Sequence, residues 1–294
     1  MEDKFLESIV NINKNIIKCN VSLKNYNTMK LECTCKYFIS PSNFIELKKV
    51  LVEINKYKIN YYLIGNGSNI IFTDKEKECI IKLNFNKSKY CDIFMASELL
   101  MIKANEFYKN GYGGLEYISN IPASIGGAIL MNAGAYNHNI SDIIEYVYYL
   151  DEDFKFKVLS KINCNFKYRE SIFKNSKKII LGCKVFLERK DKSTIKNIME
   201  ECKYKRIRTQ PNEYPNSGSI FKNKDKIYAW KLIEDASLKG LEINGAKISE
   251  KHCNFIINFN NAKNDDVISL IGLIKNRVKE KFDIELEEEV IIID

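Results

Sequence analysis

Six of the thirteen glycines in this chain fall between Gly111 and Gly134, and this clustering constrains the fold more than any other feature. The stretch Gly113–Tyr136 runs for twenty-four residues, is dominated by small side chains, and carries one charge, Glu116, in a chain with forty-one lysines. Small residues in such density let a backbone lie close along a large flat ligand; they also let two elements pack tightly. A second, shorter cluster, Gly65-Asn66-Gly67-Ser68-Asn69, joins the apolar runs Tyr61–Ile64 and Ile70–Phe72. Its glycines allow a tight turn and a close approach to an anion, with Ser and Asn as neutral donors. A plain turn of the Asn-Gly kind has the same composition. Neither cluster is G-x-G-x-x-G, which argues against a Rossmann site, but two glycine-rich segments after strands point to a dinucleotide.

The length of 294 residues allows one large domain or two to three smaller ones. A hydrophobic content of 45% and a charged content of 29% belong to an ordinary globular chain. The net charge of +8 comes almost wholly from lysine, since Arg occurs only at 169, 189, 206, 208 and 277. Lys, Asn and Ile are abundant throughout, whereas a nucleic-acid surface concentrates cations on one element among aromatics. No nucleic-acid partner is expected. The first twenty residues lack an apolar core behind a basic start, and no segment approaches the ~18 uninterrupted apolar residues of a spanning helix. The nine cysteines are odd in number and scattered, with Cys33-Thr34-Cys35 as a lone C-x-C. Buried reduced thiols, no metal site and a cytoplasmic location are expected.

Asn43 and Glu46 form a capping pair for a helix bearing Leu47, Val50, Leu51 and Ile54 on one face. Tyr61–Ile64 reads as a strand, and Ile70–Phe72 as the resumption of its sheet. Residues 97–108 read as a helix that stops at Gly111. Runs at 145–150, 155–159 and 179–187 read as a mostly antiparallel sheet. Residues 193–203 are helical, TQPNEYP at 209–215 is a loop, and a domain boundary falls near 190–200. Asn264 or Asp265 caps a long helix with Val267, Leu270, Ile271, Ile274 and Val278 on one face, and Val290–Ile293 closes the chain as a buried strand.

Five further segments offer chemistry, four of them with a plainer alternative. Arg169, in Tyr168-Arg169-Glu170-Ser171-Ile172-Phe173, is a catalytic cation or a surface ion-pair partner. Ser219, in Asn216–Asn223, follows a glycine as turn residues do, and neither His lies near enough in sequence to suggest a triad. The basic run Lys203, Lys205, Arg206, Arg208 meets an anionic ligand or forms a wet face. His252 is an acid–base group or a hydrogen-bonded structural residue. At the C-terminus, Glu287 and Glu289 alternate against Glu288, so a carboxylate turned inward there needs a partner or a role.

In order along the chain, IPASIGGAILMNAGAY, YRESIF, GSIFKN and LEEEV resemble the UDP-N-acetylenolpyruvoylglucosamine reductase family, flavoproteins that make UDP-N-acetylmuramic acid for peptidoglycan. The resemblance runs from about Asn27 to Asp294, and the fifty residues from Arg169 to Ser219 resemble the shorter family type, without an extra substrate-covering loop. Departures stand at Asn120, Ala123 and Asn244, where the family usually has glycine, at Leu31-Glu32-Cys33 in place of Gly-Gly, and at Lys224 in place of Pro.

The resemblance implies an α+β protein with an FAD-binding fold of the vanillyl-alcohol-oxidase/PCMH type. It implies two FAD-binding subdomains, 1–75 and 76–192, an α+β substrate-binding domain, 193–285, and a strand, 286–294, that returns to the FAD-binding part. It implies an NADPH-dependent reductase that is monomeric and acts on small molecules, NADPH and a UDP-enolpyruvyl sugar. Ser219 is then the proton donor, with Arg169 and Glu289 as catalytic companions. Gly65, Asn66, Gly67, Ser68 and Asn69 meet the cofactor, as do Pro122, Ala123, Ser124, Gly126, Gly127, Asn132 and Ala133. Tyr168, Lys205, Arg208, Asn223 and His252 are the implied substrate contacts. Another flavin oxidase of the same superfamily and a non-catalytic nucleotide- or nucleic-acid-binding protein are the competing readings.

Overall fold

The structure is a computed structural model that describes residues 2–224 and 227–294. The chain divides into two units. The first takes the residues up to Cys19, Tyr37–Asn66 and Glu78–Tyr204; the second takes Asn20–Lys36, Gly67–Lys77 and Lys205–Asp294.

In the first unit the helix Phe44–Tyr57 begins as its sequence dictates. Asn43 accepts a hydrogen bond from the backbone N–H of Glu46 at 2.9 Å, and the Glu46 carboxylate accepts the N–H of Ser42, one residue before the cap, at 2.8 Å. Leu47, Val50, Leu51 and Ile54 are buried, and Lys58 ends the helix in a left-handed conformation. The strand Tyr61–Ile64 follows and pairs in parallel with Lys77–Lys82, Ile64 standing opposite Lys82.

The sheet Phe156–Ser160, Ile144–Leu150, Ile179–Val185, Ile93–Met95 is antiparallel throughout, as the apolar runs require; Ile93–Met95 is an edge strand too short to stand out in the sequence. The helix Leu100–Asn110 stops at Gly111, whose φ of +70° is the left-handed cap. Phe5, Leu51, Ile81, Phe94, Leu100, Ile125 and Val147 belong to one buried apolar core.

Ile70–Phe72 does not resume the sheet of Tyr61–Ile64. It lies in the second unit and pairs in parallel with Ile291–Ile293, Ile70 opposite Ile291 and Phe72 opposite Ile293. Three apolar residues satisfy the strand pattern equally well in either sheet, and only the available backbone partner decides between them.

The second unit also contains the antiparallel strands Glu242–Ile243, Ala246–Ile248 and Ile256–Asn258 and the helix Asn264–Phe282. Val267, Leu270, Ile271, Ile274 and Val278 enter its core with Ile220, Phe221, Ile233 and Ile256. The cap of that helix differs from the expectation. Lys263 is the capping position, and Asp266 reaches back to accept its N–H at 2.8 Å, while Asn264 donates to the Glu32 carbonyl at 2.9 Å. Asn244 has a φ of +47° and donates to the other Asp266 oxygen at 2.8 Å. Asparagine tolerates the left-handed region, so this departure from glycine retains the conformation and adds a bond.

The polar helix expected at 193–203 extends over Lys192–Thr209 and ends before Pro211. No helix among the described residues is long and apolar enough to cross a membrane. The nine cysteines are free thiols, seven of them buried and two, Cys19 and Cys91, exposed.

Candidate functional site

The first unit holds a cavity of ≈ 730 Å³ lined by Tyr61, Gly65, Lys82, Ser124, Gly126 and Gly127 among others. That volume lies within the range of about 300–1,000 Å³ typical of ligand clefts. The cavity unites the two glycine clusters. A β-carbon on Gly65 would stand 2.3 Å from Ser124 Oγ, so any larger residue would force the Ser124 side chain to move where this turn meets the second cluster. Asn66 fixes the approach by donating from Nδ2 to the Pro122 carbonyl at 2.7 Å. Ser124 Oγ accepts the N–H of Gly127 at 3.2 Å, and the carbonyl of Ala123 accepts the N–H of Leu100 at 2.9 Å. Lys82 Nζ donates to the Gly65 carbonyl at 2.5 Å.

Glu116, the sole charge of the long cluster, serves the fold. It is buried, yet its carboxyl lies below the ordinary carboxylate value. Burial raises it, but hydrogen bonds from Lys190 at 2.5 Å and the N–H of Gly114 at 2.6 Å outweigh that.

Asn132 and Ala133 are tied into the same unit. Asn132 Nδ2 donates to the Lys167 carbonyl at 3.0 Å, and the N–H of Ala133 donates to Ala128 at 2.8 Å. Tyr168 and Arg169 occupy the tip of a tight turn closed by reciprocal backbone bonds between Lys167 and Glu170 at 3.1 and 3.2 Å. Arg169 has a φ of +56°, an uncommon conformation for a residue with a β-carbon. Its guanidinium donates to the Gly134 carbonyl at 3.2 Å and lies 5.1 Å from the ring centre of Tyr168. Arg169 is half-buried and bound to the end of the glycine-rich segment, which is not the setting of a wet surface cation. Lys205 and Arg208 are exposed on the helix Lys192–Thr209.

In the second unit, Gly67 has a φ of +70°, and a β-carbon there would stand 2.0 Å from the Tyr26 carbonyl oxygen. The Gly67 carbonyl accepts the N–H of Thr28 at 3.0 Å. Asn69 is held at both ends of its residue: Nδ2 donates to the Glu289 carbonyl at 3.1 Å, and its own carbonyl accepts the N–H of Ile291 at 3.0 Å.

Ser219 opens a segment gripped from two sides. On one side Asn254 accepts the N–H of Ile220 at its carbonyl, 2.9 Å, and the N–H of Phe221 at Oδ1, 2.9 Å, and donates Nδ2 to the Phe221 carbonyl, 2.8 Å. On the other, the N–H of Glu289 donates to the Ile220 carbonyl at 2.8 Å, and the N–H of Lys222 donates to the Glu287 carbonyl at 2.8 Å. YRESIF therefore belongs to the first unit, while GSIFKN and LEEEV share hydrogen bonds within the second.

The three acids have separate surroundings. Glu287 is exposed and paired with Lys222, and Glu288 pairs with Lys275 at 2.7 Å. Glu289 is half-buried. Asn223 Oδ1 accepts the N–H of Ala229 at 3.0 Å, at the start of the helix Ala229–Asp235. His252 packs edge-on to Phe255 with ring centres 4.8 Å apart, and its Nδ1 accepts the N–H of Asn254 at 3.3 Å. Burial lowers its pKa below the ordinary histidine value and keeps the ring neutral.

Two residues of these clusters escaped the sequence reading. Lys82 had a faint signal, a lysine interrupting the apolar run Cys79-Ile80-Ile81-Lys82-Leu83. Asn254 had none, because its partners lie more than thirty residues away.

Comparison with known proteins places both parts of the chain. Residues 210–293 match the family model for the UDP-N-acetylenolpyruvoylglucosamine reductase C-terminal domain, and residues 35–156 match that for an FAD binding domain. UDP-N-acetylenolpyruvoylglucosamine reductase of Clostridium novyi is 37% identical over 99% of this chain and 96% of its own length. The enzyme of the same name from Caldanaerobacter subterraneus is 38% identical over 93% of this chain and 92% of its own. Among solved structures, UDP-N-acetylenolpyruvylglucosamine reductase from Thermus caldophilus superposes with a TM-score of 0.82 at 30% identity, covering 95% of this chain and 99% of that one. The α+β architecture with an FAD-binding domain agrees with these matches.

Proposed function

The chain belongs to the UDP-N-acetylenolpyruvoylglucosamine reductase family, and from that premise we propose that it reduces UDP-N-acetylglucosamine enolpyruvate to UDP-N-acetylmuramate with NADPH. This is a step of peptidoglycan precursor synthesis, assigned here to a cytoplasmic monomer acting on dissolved small molecules. The observation that carries the reading is the pairing of Ile220 with Glu289, which brings GSIFKN and LEEEV side by side.

The residues present fit FAD. The Gly65 turn approaches Ser124 so closely that a β-carbon would crowd its hydroxyl, and the cavity beside it has the size of a ligand cleft. Gly65, Asn66, Ser124, Gly126 and Gly127 would hold the cofactor there, with Gly67, Ser68 and Asn69 continuing the same loop. When bound, FAD supplies a hydride, taken from NADPH, to the β-carbon of the enolpyruvyl group.

The side chains of the protein supply the rest. Addition of hydride to the β-carbon leaves an enolate on the substrate carboxylate, and its α-carbon must gain a proton. Ser219 gives that proton from its hydroxyl. A serine is a weak acid in water, but an enolate carbon is strongly basic and a closed site excludes competing solvent. Arg169 stabilises the negative charge as it develops. Its bond to Gly134 and its strained turn hold the guanidinium in one place, so little reorganisation accompanies the reaction. Glu289 acts beside Ser219, since its backbone fixes the residue that follows Ser219. Tyr168, Lys205, Arg208, Asn223 and His252 are proposed substrate contacts.

Anaerobic mixing tests the reading. NADPH bleaches the flavin absorbance, and the UDP-enolpyruvyl sugar then restores it. A flavin that bleaches and stays bleached with that sugar present refutes the assignment.

A further inference from the structure

Lys82 ends the strand Lys77–Lys82, between the buried residues Ile81 and Leu83. Side chains alternate along a strand, so Lys82 turns away from those neighbours. It lines the cavity with Gly65, Ser124, Gly126 and Gly127. The parallel register sets Lys82 opposite Ile64, one residue before the turn, and from there the ammonium reaches the Gly65 carbonyl at 2.5 Å.

Many lysines of this chain meet a carboxylate, as Lys87 meets Glu106 and Lys275 meets Glu288. Among the described residues no carboxylate pairs with Lys82, and burial alone pulls its pKa below the ordinary lysine value. A carbonyl dipole satisfies one of the three ammonium donors but does not neutralise the charge. The protein thus holds an uncompensated cation at the wall of a cavity, which costs stability until an anion joins it.

We propose that Lys82 is the counter-charge of the flavin nucleotide's diphosphate, placed by the strand beside the glycine turn that closes around it. In FAD the negative charge resides on the diphosphate alone, so this is the part of the ligand that answers a half-buried ammonium. Lys82 is therefore a positioning and affinity residue for the cofactor. The inference rests on reading the cavity as the FAD site.

Titration of the flavin-free protein with FAD, followed by flavin fluorescence, separates the two. If the unsubstituted protein takes up no FAD, the cofactor reading itself fails. If it does, Lys82→Met is expected to weaken FAD binding by about 10- to 100-fold, the effect of one charge-assisted hydrogen bond. Lys82→Arg, which keeps the charge, is expected to stay within about fivefold of the unsubstituted protein. The melting temperature of the flavin-free Lys82→Met protein is expected to be unchanged or higher, because a half-buried charge without a carboxylate partner has been removed. The proposal is overturned if Lys82→Met binds FAD within twofold of the unsubstituted protein, or if Lys82→Arg binds no better than Lys82→Met. It is equally overturned if the flavin-free Lys82→Met protein melts lower or fails to fold, since the lysine would then be structural.

Discussion

The backbone N–H of Glu289 donates to the carbonyl of Ile220 across 2.8 Å, and the residue before Ile220 is Ser219. A serine and a glutamate far apart in the chain thus stand on two backbones that share a hydrogen bond. Their roles can be separated experimentally, because the bond is made by main-chain atoms and survives substitution of either side chain.

Ser219→Ala is expected to bind FAD and accept reducing equivalents from NADPH as the unsubstituted protein does, while turnover of the enolpyruvyl sugar falls by about 10²- to 10⁴-fold, the contribution of a placed general acid. Stopped-flow absorbance resolves the two half-reactions. Normal reoxidation by the sugar would show that the proton comes from elsewhere.

Arg169→Ala is expected to lose about 10²- to 10³-fold in turnover, as when one electrostatic stabiliser of a developing anion is removed. FAD affinity should change far less. Parallel measurement of the flavin dissociation constant and kcat decides the matter, for equal losses in both would make Arg169 a structural residue of the Gly134 segment.

Asn254→Ala leaves the N–H and carbonyl of the fully buried Phe221 without their side-chain partners. Each unsatisfied buried group costs about 1–3 kcal/mol, so a stability loss of about 2–4 kcal/mol is expected in urea denaturation. Turnover should fall as well, since the segment that starts at Ser219 loses one of its two supports. A loss below about 0.5 kcal/mol would mean that solvent replaces Asn254 without cost.

His252 supplies a pH dependence. Its folded-state pKa lies below the ordinary value of about 6.5 because the ring is buried, so the unfolded chain binds the proton more readily. The contribution of His252 to stability is therefore complete above about pH 6.5 and is lost as pH falls through the lower folded-state value. Denaturation midpoints from pH 8 to pH 5 should fall more steeply for the unsubstituted protein than for His252→Phe, which keeps an aromatic ring against Phe255. Parallel profiles would show that this proton is not coupled to folding.

The parts of the fold that could be read from the sequence are those set by near neighbours. Asn43 and Glu46 cap the helix from within four residues, Gly111 stops another by its own left-handed φ, and the apolar face from Val267 to Val278 is a matter of helical spacing. The cap falls at Lys263 rather than at Asn264 or Asp265, because Asp266 reaches back to accept the Lys263 N–H and is itself held by a bond from Asn244.

The site divides in the same way. Glycine spacing and the short motifs around Arg169, Ser219 and Glu289 marked the candidate residues, since composition is preserved in the sequence whatever the fold. Four things were decided only by tertiary structure: the partner of Ile70–Phe72, the contact of Gly65 with Ser124, the grip of Asn254 on Ile220 and Phe221, and the exposure of the Lys82 charge to the cavity. Each depends on which distant backbone or surface becomes available when the chain packs. A hydrogen bond or a desolvated charge is a property of two partners, and the local pattern of a sequence specifies only one of them.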